Sequence, residues 1–365
     1  MDAVDTPQPV GRAIQAIVGG TASGKDHDAV VILARYDDLG MRAGLCTATL
    51  IAPNLVVTAR HCVSATDPTA ACNAGGEPVS GGALHGDRAP STLAVFTSTG
   101  GVAPVTTVDL DAAARGKTVV VDDATNVCNS DIAFLVLDAS LTTPIAPIRL
   151  GPPANAEKIT AVGWGLTEIG ELPAARMQRK DVEVVGNGPM AYPDDARYGA
   201  GDAEFLVGES ACAGDSGSPA LAKSGAVIGV ASRAGNGLPR DPANAASTCV
   251  GATAHVVYAQ LGAASALALR AFAEAGATPW LEGEPDPRAK NDAKPEGGAK
   301  GASDPAPTGP ERAATTLGAT GTRGESAAGC AASGAPAPGA AERALGFIAI
   351  LAAIVRSRRR SDDAR

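Results

Sequence analysis

The stretch Gly214-Asp215-Ser216-Gly217-Ser218-Pro219 decides how the rest of this sequence is interpreted. It places the hydroxyl of Ser216 in a short loop flanked by glycines. Glycine accepts backbone conformations that other residues avoid, so successive N–H groups of such a loop can point into one small volume and stabilise a developing oxyanion. A serine hydroxyl is a weak nucleophile unless a base lies within hydrogen-bond reach. The loop therefore predicts a nucleophilic serine and requires a histidine and an acid elsewhere in the chain.

The best candidate for the base is His61, one of four histidines in the chain. It follows an apolar strand-like segment, in Thr58-Ala59-Arg60-His61-Cys62, and adjoins a cysteine that can hold the local backbone. The candidate acid is Asp131, at the head of the apolar segment Ile132–Leu137, although an aspartate in that place is often only a turn or cap residue. Histidine, aspartate and serine in this chain order form a known arrangement for nucleophilic catalysis.

Short apolar segments separated by Gly, Pro, Asn and Asp recur along the chain without long helical patterns between them, which predicts an antiparallel all-β barrel or sandwich. An amphipathic helix is predicted over Ala263–Glu274, and the stretch Ser64–Gly100, rich in Gly, Ala, Pro and Thr, is predicted to contain a long loop. The predicted strands are Ala29–Ala34, Thr47–Ile51, Leu55–Thr58, Leu93–Thr97, Thr118–Val121, Ile132–Leu137, Ile159–Val162, Val182–Val185, Ala226–Ala231 and His255–Tyr258.

Five motifs occur in the order typical of one family, and over roughly residues 17–281 the chain resembles the trypsin-like (chymotrypsin-fold) serine peptidases. The motifs are Ile17-Val18-Gly19-Gly20, TA-x-HC around His61, Asp131-Ile132-Ala133, Gly163-Trp164-Gly165 and GDSGSP around Ser216. The resemblance implies two six-stranded antiparallel β-barrels followed by a C-terminal helix. It also implies that Ser216 is the nucleophile, His61 the general base and Asp131 its orienting acid, with the N–H groups of Gly214 and Ser216 as the oxyanion hole and no cofactor.

Six cysteines lie in the folded part and a seventh, Cys330, lies near the C-terminus. An even set in one domain predicts three disulfides and an oxidising, extracellular location. The resemblance pairs Cys46 with Cys62 and Cys212 with Cys249. A bridge between Cys72 and Cys128 is expected from their positions, and it would tie the long loop down beside Asp131. No Cys/His spacing or acidic cluster indicates a Zn²⁺ or Ca²⁺ site.

The resemblance also makes Ile17 the mature N-terminus, whose new ammonium would pair with Asp215. Residues 1–16 would then be a propeptide remnant. This segment has no apolar core and so is not a signal peptide as it stands. Either the true start lies upstream of Met1 or export uses another route, and the cysteine pattern, which requires export, favours the first. The bond to be cut follows Ala16, which a trypsin-like activator would not choose. Activation by the enzyme itself or by a similar small-residue peptidase is therefore the hypothesis.

The predicted primary pocket departs from the basic-residue specificity of trypsin. The position that carries an aspartate in trypsin-like pockets is Ser210, which removes the charge partner for Arg or Lys. Val256 takes a wall position that is glycine in open pockets, so small or medium apolar side chains are expected to fit best. Ser232 is expected to offer its backbone to the substrate, Ala234 lies in the same pocket wall, and Arg233 replaces the usual aromatic residue between them.

A net charge of −9 and the lack of a basic cluster in the folded part argue against nucleic acid as a partner. A monomer that acts on protein or peptide substrates is expected. Residues 282–329 have the composition of a disordered linker. Residues 330–365 resemble the MYXO-CTERM sorting tag: a cysteine, the twelve apolar residues Ala344–Val355 and an arginine run. That segment is short for a spanning helix, and residues 330–360 are the candidate for membrane or cell-surface attachment.

Two other function classes remain to be weighed. A non-catalytic surface adhesion or binding module on a peptidase fold would show damage to the histidine, aspartate or serine motifs, and none is visible. An esterase of another fold would show G-x-S-x-G and alternating strands and helices, whereas Ser216 stands in D-S-G within an all-β pattern.

Overall fold

The computed structural model describes residues 17–103, 111–165, 174–238, 241 and 247–290. Within these ranges the backbone forms two helices, α1 (Arg60–Val63) and α2 (Ser265–Ala275). The strands are β1 (Thr21–Ala22), β2 (Val30–Tyr36), β3 (Arg42–Ala52), β4 (Leu55–Thr58), β5 (Ser64–Thr66), β6 (Ala70–Cys72), β7 (Pro78–Gly81), β8 (Leu84–Asp87), β9 (Leu93–Phe96), β10 (Ala114–Val120), β11 (Ala133–Leu137), β12 (Lys158–Gly163), β13 (Met177–Asn187), β14 (Met190–Ala191), β15 (Gly199–Ala200), β16 (Glu204–Val207), β17 (Pro219–Leu221), β18 (Val227–Gly235) and β19 (His255–Gln260).

The first barrel is closed by six antiparallel strands in the order β10-β11-β4-β3-β2-β9. Successive side chains of a strand point to opposite faces, and both faces are buried here. Val31 and Leu33 of β2 pack inside the barrel, whereas Ile32 and Ala34 pack in a cluster that also contains Trp164 and residues of the second barrel and of α2. This double burial explains why Val30–Ala34 of β2 is an unbroken apolar run rather than an alternating one.

The second barrel contains six antiparallel strands in the order β13-β12-β17-β18-β19-β16, closed by the pairing of β13 with β16, and β1 adds to the outer edge of β13. Its core includes the stacked rings of Phe205 and Tyr258, whose centroids lie 5.3 Å apart. The predicted fold class is confirmed: two six-stranded antiparallel barrels and a C-terminal helix. Helix α2 ends one residue later than predicted, where Gly276 takes the left-handed conformation (φ +63°) that glycine accepts at a helix end.

The long loop predicted within Ser64–Gly100 is wrong for most of its length. Residues 64–87 form two small hairpins, in which β5 pairs with β8 and β6 with β7. We call residues 64–88 the insert. Strand β7 is exposed throughout, so it carries no apolar pattern by which it could be recognised. Strands β16, of four residues, and β17, of three residues, were also missed.

All three expected disulfides are confirmed, Cys46–Cys62, Cys72–Cys128 and Cys212–Cys249. The bridge from Cys72 to Cys128 joins β6 of the insert to the segment that leads to Asp131, as its position in the sequence had indicated. It is a covalent link between the insert and the first barrel.

The packed chain continues beyond residue 281, where composition had placed the end of the domain. The N–H of Glu282 donates to the carbonyl of Ile148 at 2.9 Å. The guanidinium of Arg149 binds the carboxylates of Glu157 and Glu282, at 2.8 and 2.5 Å. Ion pairs can therefore hold a polar segment against the folded domain, and the amino-acid composition does not reveal them.

Several expectations fall on residues that lie outside the described ranges. These are the propeptide remnant 1–16, the greater part of the linker from residue 291 and the C-terminal tail with Cys330. Within the described part of the chain, no helix has the length and apolar character needed to cross a membrane.

Candidate active site

Strand pairing in the first barrel brings His61 and Asp131 together. His61 lies on α1, directly after β4, and Asp131 precedes β11. Strands β4 and β11 are antiparallel, with Thr58 opposite Ala133. The end of one strand therefore lies beside the start of the other, and residues 70 positions apart in sequence come into contact.

Asp131 accepts three hydrogen bonds in a site where only 1% of the residue is exposed. His61 Nδ1 lies 2.8 Å from its Oδ2, the backbone N–H of His61 donates to Oδ1 at 2.9 Å, and the hydroxyl of Ser232 donates to Oδ2 at 2.7 Å. Burial by itself would raise the pKa of Asp131, but the neighbouring His61 and these hydrogen bonds outweigh it and lower the pKa. An ionised carboxylate at Nδ1 selects the tautomer that leaves Nε2 free to accept a proton.

Ser216 lies between the two barrels, where its carbonyl accepts the backbone N–H of Thr47 at 2.8 Å. The flanking glycines take left-handed conformations, with φ of +85° at Gly214 and +78° at Gly217. A Cβ at position 217 would lie 2.1 Å from the hydroxyl of Thr58, so no larger residue fits there. Ser216, His61, Asp131 and Ser232 line one cleft with a volume of ≈ 700 Å³.

The side chain of Asp215, the residue before Ser216, is completely buried. It accepts backbone N–H groups from Ile17 at 3.0 Å, Cys212 at 3.0 Å and Gly165 at 2.9 Å. Burial raises the pKa of Asp215 to about 6, although these three donors lower it. Gly163 makes room for the carboxylate, since a Cβ there would lie 2.2 Å from its Oδ1.

The structure brings together only some of the residues predicted to form the primary pocket. Ala234 on β18 is paired with Val256 on the neighbouring strand β19, and both line the cleft. Ser232 also lines the cleft, but the prediction considered only its backbone and missed the bond from its hydroxyl to Asp131. Ser210 is fully buried and is not among the residues that line the cleft; its hydroxyl donates to the carbonyl of Gly208 at 3.2 Å.

Arg233 belongs to a buried ion pair that the sequence did not indicate. Its guanidinium binds both carboxylate oxygens of Glu204, at 2.6 and 2.7 Å, and Glu204 also accepts the backbone N–H of Asn129 at 2.9 Å. Asn129 stands two residues before Asp131, and Arg233 is next to Ser232. The pair thus connects the two segments that supply the carboxylate and the hydroxyl of the Asp131–Ser232 bond.

A second arginine–carboxylate bridge joins the residues next to His61 and Asp131. Arg60 Nη1 donates to the carboxylate of Asp122 at 2.7 Å, and the hydroxyl of Ser130 donates to the other oxygen of that carboxylate. Arg60 is 6% exposed although it carries a full charge. We call Arg60, Asp122 and Ser130 the histidine brace, because they connect the main chain of His61 to that of Asp131.

Within the described ranges, one group of three side chains has potential metal-ligand atoms close together, namely Cys46, His61 and Cys62. The two sulfur atoms of this group are joined in a disulfide, so neither is available as a thiolate ligand.

Comparison with known proteins identifies the family. The family model described as Trypsin matches residues 17–250. The chain belongs to the trypsin family. Membership confirms the family predicted from the five motifs and assigns the chain to a group of serine proteases, which act on protein substrates.

Two relatives and one solved structure illustrate what this trypsin-family chain is similar to. It is 34% identical to trypsin alpha-3 of Lucilia cuprina over 114 residues, which are 28% of this chain and 67% of that protein. It is 30% identical to a trypsin of Saccharopolyspora erythraea over 262 residues, 68% of this chain and 99% of that protein. The crystal structure of the scabies mite inactivated protease paralogue S-D1 aligns with a TM-score of 0.48 at 17% identity, over 72% of this chain and 100% of that one.

Proposed function

We propose that this trypsin-family chain is an active serine endopeptidase with Ser216 as nucleophile, His61 as general base and Asp131 as the acid that orients it. The observation that carries the proposal is the bond between His61 Nδ1 and the buried carboxylate of Asp131, at 2.8 Å, in the same cleft as the hydroxyl of Ser216. In this arrangement a serine hydroxyl becomes nucleophilic and the imidazolium formed during the reaction is stabilised.

The proposed reaction has two halves. Ser216 Oγ forms a bond to the scissile carbonyl carbon while His61 takes its proton, and the N–H groups of Gly214 and Ser216 stabilise the oxyanion. The C–N bond then breaks as His61 protonates the leaving amine, and an acyl-enzyme remains. Water, deprotonated by His61, attacks this ester, and the proton returns to Ser216 as the acid product leaves.

The buried bond between Ile17 and Asp215 supports activation by cleavage before Ile17. In the intact chain an amide N–H occupies the position in which a cationic ammonium would neutralise Asp215. Ile17 also has φ +55°, a conformation that is strained for a β-branched residue and that lasts only while residue 16 is attached. Cleavage would remove this constraint and supply the charge.

The residues that line the cleft support a preference for small or medium apolar side chains at the residue before the scissile bond. Ala234 and the branched Val256 are paired on neighbouring strands and both line the cleft, and Ser210 supplies no charge for Arg or Lys. Three disulfides are typical of an exported protein. We therefore place the enzyme outside the cell or at its surface. We also propose that it is a monomer and that residues 330–360 are its attachment segment.

A fluorophosphonate probe with a peptide-library profile tests the proposal. The probe is expected to label Ser216 in Ile17-started protein and not in the Ser216→Ala variant. Ser218→Ala, two residues away, is the matched control that keeps the label. Absence of label on Ser216 would contradict the enzyme proposal, and dominant cleavage after Arg or Lys would contradict the pocket assignment. The alternative of a non-catalytic binding module predicts no label, and no observation favours it.

A further inference from the structure

Two arginines, Arg35 and Arg88, line the candidate active-site cleft together with His61 and Ser216. Arg35 lies on β2, and its Nη1 donates to the carbonyl of His61 at 3.2 Å. Arg88 is the last residue of the insert, and its backbone N–H donates to the carbonyl of Val63 at 2.8 Å. Both are therefore attached to the short segment that carries the candidate general base.

Neither guanidinium is neutralised in the described part of the chain, where no carboxylate lies within 4.0 Å of either. The carboxylate of Asp87, next to Arg88 in sequence, accepts the hydroxyl of Ser64 and pairs with Arg60. Asp67 lines the same cleft, but His85 and the N–H of Ala83 already occupy its two oxygens.

The Nε atoms of Arg35 and Arg88 are buried and have no hydrogen-bond partner. Burial, and after it the positive charge of Arg88, lowers the pKa of Arg35, so the two cations act on one another. Buried donors are normally paired, and like charges brought together are destabilising. An anion between the two guanidinium groups would relieve both conditions.

The position of Arg35 depends on a glycine in the neighbouring strand. Arg35 stands opposite Gly44 in the pairing of β2 with β3, and a Cβ on Gly44 would lie 2.2 Å from Nη2 of Arg35. The guanidinium therefore lies flat over β3, beside the carbonyl of His61, and does not extend freely into water.

Arg35 and Arg88 lie on the first barrel and the insert, whereas the end of the cleft that is assigned to the acyl half of the substrate belongs to the second barrel. That end contains Ala234 and Val256, and residues Ala234 to Leu238 continue from it into a second recess lined by Tyr192 and His255. Neither Arg35 nor Arg88 lines this recess. The leaving-group half of a peptide would accordingly extend from Ser216 toward the arginines.

We propose that Arg35 and Arg88 form a carboxylate-binding subsite for the leaving-group half of the substrate, a specificity that rests on the proposed peptidase function. A planar guanidinium binds a carboxylate through two parallel N–H···O bonds, and two such groups can hold one anion from both sides. The carboxylate is either an acidic side chain shortly after the scissile bond or the free C-terminus of a short leaving peptide.

The test uses quenched fluorescent peptides that share the best acyl half and differ only after the scissile bond. One series places Glu or Gln at each of the first three positions in peptides with an amidated end, and a second series compares a free with an amidated C-terminus. The expected result is about tenfold higher kcat/KM for the carboxylate member of one series, and this ratio falls as NaCl is added.

Substitutions test whether the two arginines cause this ratio of kcat/KM values. Arg35→Gln and Arg88→Gln should each reduce it to about twofold or less, and Gly44→Ala should do the same because it displaces the guanidinium without removing it. Arg270→Gln, an exposed arginine on α2, is the matched control and should keep the full ratio.

Equal cleavage of all paired peptides by the wild-type protein would overturn the subsite and leave the peptidase proposal intact. A ratio that survives in all three variants would equally overturn it. Failure to cleave any peptide, with no probe label on Ser216, would overturn the peptidase function and the subsite together.

Discussion

At the residue scale, charges that are held by fixed partners dominate the surroundings of His61. Asp131 is the centre of this arrangement, and the residues immediately before it are themselves bound to arginine–carboxylate pairs, Asn129 through Glu204 and Ser130 through Asp122. Arg60 and Arg233, the two arginines, are adjacent in sequence to His61 and Ser232, which are the residues that bind Asp131. Each bridge thus restrains both sides of a hydrogen bond to Asp131.

The histidine brace leads to a prediction for Asp122→Asn. Loss of the negative charge weakens the bonds from Arg60 and Ser130, so His61 and Asp131 should be held less firmly. We expect kcat to fall about tenfold while KM changes by less than about twofold, since bonds to charged groups contribute about 1.5–3 kcal/mol.

Peptide hydrolysis and the fluorophosphonate labelling rate measure this effect, and the melting temperature reports any loss of stability. Asp123→Asn, at the exposed neighbouring position, is the control and should behave as the wild type. A variant that loses stability but keeps its kcat would show that the brace has only a structural role.

At the element scale, two segments with little apolar character, the insert and the chain after α2, are held to the barrels by specific bonds. The insert is tied to the segment before Asp131 by the disulfide between Cys72 and Cys128, and it supplies one wall of the cleft through residues 66–70. The chain after α2 is held in a similar way, by Arg149 and Glu282. The sequence predicted a loop and a linker for these two segments, because the disulfide and the ion pairs that hold them leave no periodic pattern of apolar residues.

The attachment of Glu282 predicts an acid-dependent loss of stability. The bond from Arg149 lowers the pKa of Glu282 to about 2, below its ordinary value of 4.5. A carboxylate with a depressed pKa stabilises the folded state above pH 4.5, and this contribution disappears as the pH falls toward 2. Glu282→Gln should therefore lower the melting temperature at pH 6, and the difference from the wild type should shrink between pH 4.5 and 2.

Thermal unfolding at a series of pH values measures that difference. Glu284→Gln, two residues further along and exposed, is the control and should show no pH-dependent difference. A constant difference between Glu282→Gln and the wild type at all pH values would contradict the ion-pair explanation.

At the scale of the whole molecule, each of the two barrels contributes part of the candidate active site. The first supplies His61 and Asp131, and the second supplies Ser216, Ser232 and the walls of the pocket. Asp215 extends from the Ser216 loop into the second barrel, where it accepts the main-chain N–H of Ile17, so the proposed cleavage before Ile17 would be coupled to the loop.

This coupling predicts a pH-dependent difference between the uncleaved chain and the form that begins at Ile17. In the uncleaved chain burial raises the pKa of Asp215 to about 6 from 3.8. The folded state then binds more protons than the unfolded state between these values, so its stability falls by up to about 3 kcal/mol as the pH rises through this window. An ammonium at Ile17 would pair with the carboxylate and remove this loss.

The Ser216→Ala background prevents self-cleavage and allows both forms to be compared. The melting temperature of the Ile17-started form, relative to that of the uncleaved form, should rise from pH 4 to pH 6 and then level off. Parallel curves across pH 4–8 would contradict a charge interaction between the new N-terminus and Asp215.

Much of the fold and the candidate residues could be predicted because their signals are local. GDSGSP and the residues around His61 restrict the backbone within a few positions, and the buried strands of both barrels contain unbroken apolar runs such as Val30–Ala34. The disulfides Cys46–Cys62 and Cys212–Cys249 followed from the family resemblance. These features establish the trypsin family and the all-β class without any knowledge of the long-range contacts.

The contacts around the cleft depend on strand register and on pairs of residues far apart in sequence, so only the tertiary structure decides them. The bond from Ser232 to Asp131 spans 101 positions. The packing of Arg35 against Gly44 follows from the pairing of β2 with β3, and the ion pair of Arg233 with Glu204 appears only when β16 and β18 enter the same barrel. Sequence by itself therefore determined the family, the fold class and the candidate nucleophile, base and acid. The tertiary structure decided which charges surround them, because electrostatic interactions depend on distance in space rather than on distance along the chain.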